Sequence, residues 1–227
     1  MSKEHPTEIW KRVTSPTLRA MGHARDLEVN FGQNAPGLTA EAAHMPAPQA
    51  NMSEDAMAQY RGMSDALALR LRHHDADTHR ANMPVGNDAR RIYDAVEQVR
   101  CEVLGARRLS GASQNLNALL EERCRAKGLN AVKEAEDAML PEALGLLVRE
   151  HMTGQAVPSS ARAFVDLYRK DIEAKIGTEL DALMESAPDQ QSFCQAINEM
   201  LRTLDLLQDD PADDTNEEDD ESESEDG

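Results

Sequence analysis

Basic residues are scarce in this chain, and the last nineteen positions have none. Lys and Arg number 24 against 42 Asp and Glu, for a formal net charge of −18. Asp209 to Gly227 carry twelve acids and no base, which leaves 30 acids against 24 bases over residues 1–208. An acidic balance of this kind argues against nucleic acid and against anionic membrane as partners. Aromatics are only 3%, so Leu, Met, Val and Ile must fill the core, and the eleven methionines make that packing adaptable. Three widely spaced cysteines, Cys101, Cys124 and Cys194, form no CxxC pair, so the spacing suggests neither a disulfide framework nor a zinc knuckle. No apolar run reaches the roughly 18 residues of a membrane span. The opening MSKEHPTEIWKRV lacks the apolar core of a signal peptide, and a cytoplasmic location is expected. A phosphate loop, a G-x-G-x-x-G turn and a nucleophile elbow are all missing. Nothing reads as an active site complete in one chain.

What is there is helical periodicity. At 227 residues the chain allows one or two domains. A body of about 200 residues can bury roughly 70% of its unfolded surface. Thr7 to Ala24 reads as a helix with Ile9, Val13 and Leu18 on one face, interrupted or restarted at Pro16. Leu27 to Phe31 alternates as a half-buried strand does, with Leu38 to Met45 the one candidate partner. Ser53 caps a helix expected to run to about His74 or beyond. Ile92, Val96, Val99 and Val103 repeat on one face of a helix that Gly105 should end. Further helices are expected over Gly111–Lys127, from Pro141 to Gly154, from Ser159 or Ser160 onward, and from Pro188-Asp189 onward. The expected fold is all-α, a bundle of seven or eight helices with a small β-ribbon near 27–45. Three parts are expected: 1–52, an N-terminal helix and extended segment; 53–208, a helical domain; and 209–227, a disordered acidic tail.

The richest stretch runs from Gln59 to Leu116. It holds nine arginines against seven acids, and three of the seven histidines. Within it, His73-His74-Asp75-Ala76-Asp77-Thr78-His79 invites a metal reading. On a continuous helix Asp75 and His79 sit at i and i+4, and with His74 they could grip a divalent ion. Adjacent His74-Asp75 is also a pairing used by metal phosphohydrolases of the HD type, which need a further distant His and Asp. The plainer reading is a polar helix end with solvated acids and hydrogen-bonded histidines. Arg90 and Arg91 lie in a first helical turn, where they oppose the macrodipole. Arg107 and Arg108 follow Gly105. These four could contact an anionic partner, or pair with the chain's own Asp88, Asp94 and Glu97. Asp220 to Ser224 spells D-x-S-x-S, which in a low-complexity acidic run is coincidence.

The segments RGMSDALALRLRHHD (61–75), His79, ARRIYDAVEQVR (89–100) and GARRLSG-x-x-x-NL (105–116) together resemble the N-terminal region of the T subunit of aerobic cobaltochelatase, the CobT family. Weaker similarity extends from about Thr7 to Gln208. The resemblance implies a non-catalytic subunit, inactive alone. It would partner an AAA+ ATPase subunit and a large tetrapyrrole-binding subunit in a ring-shaped hetero-oligomer. That complex uses ATP, magnesium and cobalt to insert cobalt into hydrogenobyrinic acid a,c-diamide, in cobalamin biosynthesis. It also implies a layout of helical region, acidic linker and von Willebrand factor A domain, of which this sequence matches the first two parts. The rival expectation is a non-enzymatic helical adaptor for another AAA+ motor.

Overall fold

Helix α1 (Pro6–Gly22) starts where the chemistry allows: His5 Nδ1 accepts from the Thr7 N–H, and Pro6 takes the first turn, where no N–H is needed. The computed structural model describes residues 5–39, 41–107 and 109–207. Pro16 does not interrupt α1. Its ring lies on the exposed side, while Thr14, Leu18 and Gly22 continue along the buried one, so packing against the next helix outweighs the lost hydrogen bond. The expected inward face is corrected here. Ile9 and Val13 point outward at 40% and 42% exposure, and only Leu18 of the three is buried.

Three short strands follow: β1 (Glu28–Gly32), β2 (Gly37–Leu38) and β3 (Ala42–Pro46). They pair in the order β1-β3-β2, with β1 and β3 parallel and β2 antiparallel to β3. The sheet covers the junction of α1 and the next helix, and Ala43, Met45, Leu18, Leu27 and Tyr60 form a small core there. Tyr60 donates its hydroxyl to the Pro46 carbonyl at 3.1 Å, tying the end of β3 to the helix.

Helix α2 (Glu54–His73) is capped by Ser53 Oγ, which accepts from Ala56 N–H at 3.2 Å. It stops at His74, whose backbone is extended, and a separate short helix α3 (Ala76–Ala81) begins. After the turn at Gly86, which has φ 97°, comes α4 (Asn87–Ala106). Ile92, Val96, Val99 and Val103 are buried, as their spacing predicts. Gly105 does not end α4 but sits inside it, because α2 passes so close that the Leu69 side chain fills the space of a Cβ.

Helix α5 (Ser110–Ala126) crosses α2 at Gly62, where the Asn115 carbonyl occupies the place of a side chain. Helix α6 (Leu140–Thr153) opens with Pro141 in its first turn and closes on Gly154 at φ 67°. Helix α7 (Arg162–Ser186) is kinked at Ile176; its start owes nothing to Ser159 or Ser160, whose hydroxyls bond Glu121 instead. Asp189 caps α8 (Gln190–Thr203), accepting from Ser192 N–H at 2.8 Å. The main core joins α4, α6, α7 and α8, with Tyr93, Phe164 and Phe193 among its largest members. Helix α4 touches α2, α5, α6 and α8, and is the hub of the fold. Among the described residues no helix is long and apolar enough to cross a membrane. The acidic segment and its D-x-S-x-S run lie outside the described residues.

Candidate functional site

The hub helix carries charge into the interior. Glu97 and Arg100 stand one turn apart on α4, on the side that faces the end of α2 and the turn between α7 and α8. Glu97 is 0% exposed and Arg100 2%. Arg100 Nε donates to Glu97 Oε2 at 2.7 Å and Nη2 to Oε1 at 2.8 Å, the bidentate fork that guanidinium geometry favours. The remaining donors reach the carbonyls of His73 (2.5 Å) and Ala187 (3.2 Å) and the Gln190 amide oxygen (3.0 Å). One side chain thus satisfies the last turn of α2 and the entry to α8. Burial works against the Glu97 charge, but the hydrogen bonds from Arg100 and His74 outweigh it and hold the carboxyl down at about 2.

From this pair a hydrogen-bonded chain runs through the body. His74 Nδ1 meets Glu97 Oε1 at 2.9 Å, and its Nε2 faces Arg70 Nη2 at 3.3 Å. Arg70 donates onward to Gln98, Gln98 to Glu102, and Arg149 of α6 closes on Glu102 at 2.5 Å while also reaching Asn117 of α5. Five helices therefore share one polar network. Satisfied networks of this kind specify a unique arrangement, and a missing member is costly.

The structure gives the residues singled out by sequence different hydrogen-bond partners, although the His74 and His79 rings meet edge to face with centroids 4.7 Å apart. Asp75 caps α3, taking Thr78 N–H at 2.7 Å. His79, 5% exposed, pairs with Asp94 at 2.7 Å through Nε2, and its Nδ1 has no partner. His74 turns to Glu97. Asp75, His74 and His79 therefore do not converge on one point, because the helix breaks between His73 and Ala76 rather than continuing. His74, Glu97 and Cys101 do bring three ligand atoms within 4.8 Å of one another. Their donor chemistry fits an ion poorly. Arg100 already neutralises both Glu97 oxygens, and burial pushes the Cys101 thiol well above its ordinary range, away from the thiolate a metal needs. Cys124 and Cys194 are likewise buried, and burial raises both thiols, Cys124 to about 11.

The four arginines are not one patch. Arg90 and Arg91 sit at the start of α4 and Arg107 at its end, about 25 Å away at 1.5 Å per residue. Arg90 donates to the Pro84 carbonyl at 3.0 Å and Arg91 pairs with Asp88 at 3.3 Å. Arg107 is exposed, beside the exposed Leu109; the Arg108 side chain lies outside the described residues.

A family model described as cobalamin biosynthesis protein CobT matches residues 4–227, nearly the whole sequence. The chain belongs to the CobT family. It thereby has a role in cobalamin biosynthesis. No solved structure matches it. Sequence reasoning found the CobT signature segments but missed their physical centre: Arg100 and Arg149 carry the buried network, and neither was singled out. The available signal was Glu97 and Arg100 at i and i+3 between Val96 and Val103, an opposite-charge pair in a helix otherwise committed to the core.

Proposed function

We propose that this CobT-family chain is the helical, non-catalytic subunit of an ATP-dependent cobaltochelatase. It partners an AAA+ ATPase subunit in a ring-shaped hetero-oligomer in the cytoplasm. Together with a large tetrapyrrole-binding subunit, the complex inserts cobalt into hydrogenobyrinic acid a,c-diamide. The observation that carries this reading is the family match over residues 4–227. Two features support the division of labour. The sequence has no phosphate loop, so ATP chemistry belongs to the partner. The charged centre at Glu97 and Arg100 is closed, each group bonded to its neighbours, which suits a stiff body that transmits force better than a site that turns over substrate.

The contact with the ATPase is assigned to the elbow between α4 and α5. Arg107 and Leu109 combine there an exposed cation, of the residue type enriched at interfaces, and a large apolar side chain at 42% exposure. The test is co-purification with the cognate AAA+ subunit, with and without ATP, for the native chain and for Arg107→Glu with Arg108→Glu. The complex should weaken in the variant with circular dichroism unchanged. Complex formation and ATPase stimulation both unaffected would exclude the elbow as the contact.

A further inference from the structure

The end of α1 and the end of α2 meet at one corner of the fold. Gly22 lies against Leu71 and the Ala68 carbonyl, close enough that a Cβ would sit 3.2 Å from Leu71 Cδ1. Around this contact stand Arg19, His23 and Arg25 from the α1 side, and Arg72 and His73 from the last turn of α2. Arg19, His23 and Arg25 line an open depression of about 670 Å³ together with Pro16 and Ala20, and among the described residues no acid lines it. Arg19 Nε donates to the Leu27 carbonyl, which fixes the rim. Among the described residues none of these five basic side chains forms an ion pair, although acids outnumber bases 42 to 24 in the chain. Of the nearby carboxylates Asp75 is committed to capping α3, while Asp26, beside Arg25 in sequence, is exposed and forms no ion pair among the described residues. The local field is positive: burial together with Arg72, Arg100 and His23 keeps His73 below its ordinary value.

We infer that this corner is the docking surface for the chain's own acidic segment, residues 209–227. Charge complementarity selects the occupant. The segment offers twelve carboxylates and no base, and the depression offers cations and no carboxylate. The connection also fits. Gln190, at the start of α8, bonds both Arg100 and the Asp75 backbone, so that end of α8 lies beside the end of α2. The fourteen residues of α8 carry the chain about 21 Å away. At its far end Asp205 adopts φ 56° and the Leu206 N–H bonds the Leu201 carbonyl, so the chain leaves the helix axis there. An extended chain gains about 3.3–3.6 Å per residue, so six or seven residues recover that distance and about a dozen remain to lie on the corner. Covalent attachment through a short tether gives millimolar effective concentration, which lets weak exposed pairs add up to an occupied site.

The test uses the full chain. A nitroxide is attached at Ser222→Cys; the three native cysteines are buried and do not compete. At low salt the amide signals of Arg19–Asp26 and Arg70–His74 should broaden, while those of Arg90–Arg91, at the start of α4, should not. The effect should vanish in Arg25→Glu/Arg72→Glu and at about 1 M salt, where screening acts within about 3 Å, and persist in Arg90→Glu/Arg91→Glu. Uniform or absent broadening at low salt overturns the proposal. So does broadening that survives the Arg25/Arg72 reversal. Broadening seen only between spin-labelled and isotope-labelled copies in a mixture assigns the corner to a second copy's segment and overturns the intramolecular reading.

Discussion

Arg100 grips Glu97 with two hydrogen bonds of 2.7 and 2.8 Å in a place where neither residue is more than 2% exposed. A buried pair of this kind is not in itself a large source of stability, since desolvation offsets the attraction. Breaking it is another matter. Arg100→Met leaves the Glu97 charge uncompensated and removes donors from the His73 and Ala187 carbonyls. The expected cost is about 3–5 kcal/mol, read as a shift in the urea midpoint. Arg100→Met with Glu97→Gln should be more stable than Arg100→Met alone, because the stranded charge is gone. Equal midpoints for the single and double variants would sink the claim that this charge dominates the cost.

The same pair contributes most visibly to the acid response, because Glu97 is the most strongly depressed carboxyl. The Glu97 carboxyl is held at about 2, below its ordinary 4.5, so its contribution is fully present above about 4.5 and is lost as pH falls toward 2. A shift of that size is worth about 3 kcal/mol. His73 is also depressed, chiefly by burial and then by Arg72, Arg100 and His23. For a histidine this means the unfolded chain binds the proton more readily, so stability begins to fall as pH drops below about 6.5. Urea midpoints measured from pH 8 to 3 should show a shallow loss first and a steep one below 4.5. Asp75, Asp94, Glu121 and Asp189 are also held below their ordinary values, so Glu97→Gln should make the steep part shallower without erasing it, and an unchanged slope would assign the acid transition to those carboxylates.

Two glycines in helices should respond in opposite directions to alanine. At Gly62 an added Cβ would collide with the Asn115 carbonyl and come within 2.9 Å of Leu119 Cβ, both on α5. Backbone cannot yield cheaply, so Gly62→Ala should cost about 1–3 kcal/mol despite alanine's better helix propensity. At Gly145 the nearest atom is Ala95 Cβ at 3.8 Å, an ordinary contact. Gly145→Ala should therefore stabilise by up to about 1 kcal/mol. Thermal melts of the two variants check the pair of signs; a stabilised Gly62→Ala would mean that α2 and α5 do not cross so closely.

Legibility in the sequence followed how local the cause was. The α4 face from Ile92 to Val103, the Ser53 and Asp189 caps, Pro141 and Gly154 could all be read, because each depends on spacing or on one turn of backbone. Ile9 and Val13 could not be placed, since helical spacing says which residues share a face but not which face finds a partner. Gly105 looked like a helix end, and only the approach of Leu69 from α2 explains why it lies inside α4. The sheet partner near Leu38 to Met45 was visible, but not the parallel pairing of β1 with β3, because β2 intervenes in sequence and sits on the far side. Among the candidate ligands, the pairing of Asp75 with His79 depends on a continuous helix; the break at His74 leaves Asp75 capping α3 and His79 bonded to Asp94 instead.

His74 should hold one neutral tautomer. Arg70 Nη2 lies 3.3 Å from His74 Nε2, and a guanidinium can only donate, so Nε2 must carry its lone pair. The proton then sits on Nδ1 and is donated to Glu97 Oε1 at 2.9 Å. Nitrogen NMR of the imidazole at pH 7.5 should show a protonated Nδ1 and an unprotonated Nε2. Substitution tests the same point by shape. An asparagine amide sits near the Nδ1 position and can still donate to Glu97, whereas a glutamine amide reaches the Nε2 position and faces Arg70. His74→Asn should therefore keep more of the native stability than His74→Gln. The reverse order, together with an Nε2-protonated signal, would mean that Arg70 does not donate to His74 and that the polar chain is interrupted at His74.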